Sequence, residues 1–198
     1  MVILDGKKVS NDIKNEITEQ VKKMKAKGEK VPHLAAIIVG NDGASLTYVA
    51  SKVKACERVG FDSTMVRMPN TTSEIELLDK IEELNENPDI DGFIIQLPLP
   101  KQINTQKVLL AVNPDKDVDG FHPTNFGKMA LDMSTFIPAT PFGILELLER
   151  YKVDTKGKHT VVIGRSHIVG RPMSILMSRK GWPGNSTVTL THSSTKNI

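Results

Sequence analysis

Five short apolar runs, at 34–39, 61–68, 91–97, 159–163 and 186–191, alternate with segments that carry apolar residues at helical spacing. That alternation constrains the fold more than any other feature. Strands separated by helices make parallel sheets with helices packed on both faces. Ile13, Ile17, Val21 and Met24 mark a helix over 9–27, with Gly28 as its stop. Further helices are expected at 45–59, from the capping box of Ser73 and Glu76 to about 85, at 104–112, at 141–151 behind Pro141, and at 168–180. The stretch NPDKDVDGFHPTNFG, from 113 on, reads as an irregular loop. The expected class is α/β. In such sheets ligands sit beyond the carboxyl ends of strands, here the loops after 39, after 95 and after 163. A domain boundary is expected between the 113–139 loop and Lys158, which divides the chain into 1–139 and 140–198.

Charge narrows the class of ligand. Seven of the 26 basic residues lie beyond Asp154 (Lys156, Lys158, Arg165, Arg171, Arg179, Lys180, Lys196), and none of the 23 acidic residues does. Such a segment attracts an anion. It holds one aromatic residue, Trp182, which is too little for a base-stacking platform, so a phosphorylated small molecule fits better than nucleic acid. A single cysteine, Cys56, forms no internal disulfide and suits a reducing compartment. With no signal-like start and no run of membrane length, the chain is expected to be soluble and cytoplasmic, with no membrane partner.

The sequence VVIGRSHIVGRP, from 161 to 172, is an apolar strand, a glycine-containing turn and a helix start. Such a turn offers backbone N–H groups and a helix N-terminus to an anion. It departs from three familiar spacings. A Gly-x-Gly-x-x-Gly motif from Gly164 would need glycine at Ser166 and Val169, a Walker A loop would need it at Val169, and a nucleophile elbow at Ile168. A strand–helix turn without a ligand therefore stays open on these residues alone. The next strand ends in His192-Ser-Ser-Thr-Lys196, without the acid that holds the ribose hydroxyls in many NAD-preferring folds. Arg165 at the first turn is placed to pair with a 2′-phosphate, which favours NADP.

Tyr48 and Lys52 are four apart and share one face of a helix. A surface lysine beside a half-buried tyrosine is the plain alternative. Short-chain dehydrogenases carry a similar pair, but their nucleotide turn comes first in the chain, and here it comes more than a hundred residues later. Asp115, Asp117 and Asp119 imitate the start of a calcium loop. The twelfth position, where that loop needs a carboxylate, is Phe126, so a turn held by aspartates fits better and no metal is expected.

The segments YVASK, DGFIIQLPLP, PDKDVDGFHP, PATPFG and VVIGRSHIVGRPM, in this order, closely resemble the bifunctional methylenetetrahydrofolate dehydrogenase/methenyltetrahydrofolate cyclohydrolase family over essentially the whole chain. The resemblance implies an N-terminal α/β folate-binding catalytic domain and a Rossmann-like NAD(P)-binding domain. The latter is incomplete here, because family members continue beyond Ile198. It implies that Tyr48 packs against the folate, that Lys52 is catalytic, that Gln96 orients it and that Asp119 holds the pterin. Ser45 and Pro98 are implied as further substrate contacts. Thr140, Gly164, Arg165, Ser166, Ile168 and Ser193 are implied as cofactor contacts, with Arg165 and Ser193 near the 2′-phosphate. Tetrahydrofolate derivatives as substrates, NADP as cofactor and a homodimer follow from the same resemblance. Two other readings are a non-catalytic fragment that binds folate or forms a sheet-mediated assembly without turnover, and a different two-domain dehydrogenase, such as an amino-acid dehydrogenase relative. The set Tyr48, Lys52, Gln96 and Asp119 argues against the second.

Overall fold

The computed structural model describes residues 3–196. They fall into two compact units, one of residues 10–118 and one of residues 119–196 with 3–9.

The first unit holds most of α1 (Gly6–Ala26), then β1 (His33–Val39), α2 (Gly43–Val59), β2 (Asp62–Met68), α3 (Glu74–Glu86), β3 (Gly92–Ile95) and α4 (Thr105–Ala111). The strands form a parallel sheet in the order β2-β1-β3. Central β1 is covered on both faces, which is why its residues from Ala35 to Val39 are all apolar and buried. Ala35, Ile37 and Val39 meet Leu77, Ile81 and Leu84 of α3 and Val108 of α4, while Ala36 and Ile38 meet Val49 of α2. The capping box is formed: the Ser73 hydroxyl accepts from the Glu76 N–H at 3.2 Å, and the Glu76 carboxylate accepts from the Ser73 N–H at 2.7 Å. Helix α2 stops at Gly60 (φ 87°), whose N–H donates to the Cys56 carbonyl.

Asp91 ties the sheet together at its amino end. Its carboxylate accepts from Lys30 Nζ and from the His33 N–H, both at 2.8 Å. The Lys30 hydrogen bond holds the Asp91 carboxyl below the usual carboxylate range. Its folded pKa is depressed, so its contribution is present above the unfolded value, near 4, and is lost as pH falls through the folded value. The pair is half exposed, which keeps the contribution small. Asp91→Asn is expected to lower the urea midpoint at pH 7, and the gap to the parent chain should close below about pH 4. A gap independent of pH would assign the effect to something other than this charge.

The second unit holds α5 (Pro123–Ala130), α6 (Ala139–Arg150), β4 (His159–Ile163), α7 (Gly170–Ser178) and β5 (Thr187–Thr191). Strands β4 and β5 are parallel, with Ile163 opposite Thr191. Val162 and Val188 point to a core of Met173, Leu176 and Met177 from α7, Leu145 from α6 and Met129 from α5. Val161 and Ile163 face the other way and are 52% and 75% exposed.

Two expectations need correcting. The segment from 113 on is not irregular throughout, because it contains α5. That helix starts where the His122 ring accepts from the Thr124 N–H at 3.1 Å, with Pro123 in the first turn, and it buries Asn125 and Met129. Helix α7 begins at Gly170 rather than 168. The Ser166 hydroxyl accepts from the N–H groups of Val169 and Gly170 at 3.2 and 3.3 Å, which keeps 165–169 as a turn.

Candidate active site

In the first unit the carboxyl edge of the sheet gathers the chemistry. Chain leaving β1 turns at Gly40 (φ 92°) into α2, and chain leaving β3, the neighbour of β1, continues into Gln96. The Gln96 N–H extends the ladder by donating to the Ile37 carbonyl at 2.9 Å. Its side-chain amide donates to the Leu97 carbonyl at 2.7 Å, which fixes the side chain at the strand end. Pro98 follows a cis bond and is exposed.

On α2 the structure brings Tyr48 and Lys52 together, with the Lys52 ammonium 4.8 Å from the centroid of the Tyr48 ring. Tyr48 is 53% exposed, so its ring remains accessible to a flat ligand. Ser45, one turn before, is buried, and its N–H donates to the Asp42 carboxylate at 2.8 Å. Asp42 is a residue the sequence reading passed over. As the N-cap of α2 it sets the start of the helix that carries Ser45, Tyr48 and Lys52. The signal was an aspartate followed by Gly-Ala-Ser, and the expected helix start at 45 hid it. Asp119 is placed in the second unit, half-buried, ahead of Gly120 (φ 67°), where a Cβ would come within 2.9 Å of backbone atoms of residues 136 and 137.

In the second unit the carboxyl ends of β4 and β5 lie side by side. The Gly164 N–H donates to the Thr191 carbonyl at 2.9 Å. Arg165 and Ser193 each stand two residues past the matched pair Ile163 and Thr191, so adjacent strand ends carry them, and both are exposed. No acidic residue lies in 164–171 or 191–196. Gly164 takes φ 110°, and a Cβ on Gly170 would lie 2.0 Å from the Gly164 carbonyl oxygen. The helix start is thus pressed against the turn, with Ser166 between them and Ile168 exposed at its rim. A turn of this kind accepts a pyrophosphate at a helix N-terminus, and the charge pattern fits a 2′-phosphate, so the residues present fit NADP. Thr140 is exposed at the second position of α6. Gly170→Ala is expected to force the turn open, costing about 1–3 kcal/mol in urea unfolding and weakening cofactor binding. Unchanged stability would show that the contact is relieved at no cost.

Comparison with known proteins finds a family for both parts of the chain. The family model for the tetrahydrofolate dehydrogenase/cyclohydrolase catalytic domain matches residues 4–119, and that for the NAD(P)-binding domain matches 138–198. The bifunctional protein FolD of Flavobacterium psychrophilum is 81% identical over all 198 residues, and the chain covers 67% of that relative. FolD of Christiangramia forsetii is also 81% identical, with 66% covered, so the chain spans about two thirds of the length of these relatives. Among solved structures, the Campylobacter jejuni FolD dehydrogenase/cyclohydrolase superposes with a TM-score of 0.94 at 42% identity, covering 100% of this chain and 68% of that one. The Trypanosoma brucei FolD, complexed with NADP cofactor and inhibitor, superposes at 0.90 and 32% identity, covering 98% of this chain and 65% of that one.

Proposed function

The chain belongs to the tetrahydrofolate dehydrogenase/cyclohydrolase family, and from that premise we propose that it oxidises 5,10-methylenetetrahydrofolate with NADP and hydrolyses the methenyl product to 10-formyltetrahydrofolate. Residues 1–139 take the folate and residues 140–198 the cofactor. The observation that carries the reading is the Tyr48–Lys52 pair, in contact on one face of α2, the helix that follows the carboxyl end of central β1.

Loss of hydride from the methylene carbon leaves a delocalised cation, so the first step needs alignment more than a base. When bound, the cofactor supplies the hydride acceptor. Tyr48 offers its ring face to the folate, Ser45 and Pro98 are further folate contacts, and Asp119 accepts hydrogen bonds from the pterin. Water then adds to the methenyl carbon, and a proton must leave its oxygen. The Lys52 amine takes that proton and returns it to the ring nitrogen as the carbon–nitrogen bond breaks. The hydroxyl proton passes to solvent, so one proton is released overall. Gln96, whose side-chain amide is fixed at the strand end by the Leu97 carbonyl, orients the lysine.

Thr140, Gly164, Ser166 and Ile168 seat the cofactor, while Arg165 and Ser193 select the 2′-phosphate. The reading takes the enzyme to be a cytoplasmic homodimer, and Cys56, a buried free thiol whose pKa burial pushes up, supports a reducing compartment. The test is incubation of the chain with 5,10-methylenetetrahydrofolate and either NADP⁺ or NAD⁺, following reduced cofactor and methenyl product. Turnover with NADP⁺ supports the proposal. Saturable NADP⁺ binding without turnover supports a folate-binding module instead.

A further inference from the structure

The second unit carries a groove of about 640 Å³ that the proposed chemistry does not use. It lies between the chain that follows α5 and the chain that joins α7 to β5, and its size is within the roughly 300–1,000 Å³ of small-molecule sites. One wall is Trp182, 45% exposed, with its ring edge fixed because Nε1–H donates to the Val153 carbonyl at 3.0 Å. Beside it stand Arg179, partly buried, and Lys180, exposed. Among the described residues neither cation forms an ion pair, although Asp132 lines the same groove.

The loop that presents these groups is held on several sides. The Asn185 N–H donates to the Arg179 carbonyl at 2.9 Å, and the Thr155 hydroxyl donates to the Gly184 carbonyl at 2.8 Å. A Cβ on Gly184 would meet the Arg179 carbonyl oxygen at 2.9 Å, so the loop closes tightly on itself. Met133 and Ile137 add apolar lining, and the Thr135 hydroxyl donates to the buried Asn125 at 2.8 Å.

A fixed aromatic ring and two cations lining one partly apolar groove match a flat ring joined to an anion. We propose that this groove is a second ligand site, one for a phosphorylated aromatic small molecule the size of a nucleoside monophosphate, with the ring on Trp182 and the phosphate between Arg179 and Lys180. It is distinct from the cofactor turn. That turn stands at the N-terminal end of α7 and the groove at its C-terminal end, nine residues or about 13 Å along the helix.

Trp182 is the single tryptophan of the chain, so its emission reports on this groove alone. The experiment titrates the 198-residue chain with adenosine 5′-monophosphate, and with adenosine and ribose 5-phosphate as half-probes, exciting tryptophan selectively. The expected result is a saturable change with the nucleotide, weaker by about tenfold with either half-probe and in Arg179→Gln. Lys180→Gln, an exposed position away from packing, should repeat the loss in a chain whose fold is not at issue. Arg165→Ala, which removes the cofactor-turn cation, should leave the response intact. A flat titration up to about 10 mM overturns the proposal, as does a response lost in Arg165→Ala and kept in Arg179→Gln. Emission that shifts with protein concentration and not with nucleotide places a second copy in the groove and equally overturns it.

Discussion

Replacing Lys52 with methionine lowers the hydrolysis of 5,10-methenyltetrahydrofolate by roughly 10²–10⁴-fold, the range a positioned acid–base group contributes. Methionine keeps the unbranched stem and the helix propensity of lysine, so α2 is preserved. What disappears is the amine that takes a proton from water and returns it on the proposed reading. The ammonium over the Tyr48 ring is lost too, but at an exposed site that contact is worth about 0.5–1 kcal/mol, too little to unfold a unit with the buried sheet described above. NADP⁺ affinity should stay within about twofold, because the cofactor residues lie in the other unit. The measurement is the decay of the methenyl absorbance, corrected for spontaneous hydrolysis, beside a cofactor titration. Parent-like hydrolysis in the variant would remove Lys52 from the mechanism.

How much of this could be read from the chain follows from how local each feature is. Strand β1 announced itself because both its faces are covered, which makes its sequence continuously apolar. The Tyr48–Lys52 contact was legible because four residues on a helix is one turn. The capping box of α3 was legible for the same reason. Helix α5 was not. It has eight residues, opens on a proline and contains Gly127, and it follows a stretch of aspartates and prolines that reads as turns, so burial of Asn125 and Met129 rather than propensity decides it. The strand order β2-β1-β3 was also hidden, because order depends on which crossovers pack and not on any one segment. Nor did the chain disclose the Trp182 groove. Its two walls are about 50 residues apart in sequence and meet only through packing of α5 against α7.

The juxtaposition of Arg165 and Ser193 lies between these cases. Each was legible as a residue after a strand, but that they stand on adjacent strand ends rests on the parallel register of β4 and β5. From that register, replacing Arg165 with alanine lowers kcat/KM for NADP⁺ by about 10–100-fold and leaves the value for NAD⁺ within about twofold, since a hydrogen bond to a charged group contributes about 1.5–3 kcal/mol. Arg165 is exposed, so the loss should be largest at low ionic strength and shrink as salt screens the parent's attraction for the phosphate. Ser193→Ala, which removes one neutral donor, should cost less, about two- to tenfold. Neither 164–171 nor 191–196 holds an acidic residue, and that gives the test its direction. On the proposed reading, in which Arg165 pairs with the 2′-phosphate, cofactor discrimination comes from attraction to the phosphate and not from repulsion of it. Loss of Arg165 therefore levels the two cofactors instead of reversing them. An equal fall for both would mean that Arg165 supports the turn itself, and the 2′-phosphate assignment would pass to another residue.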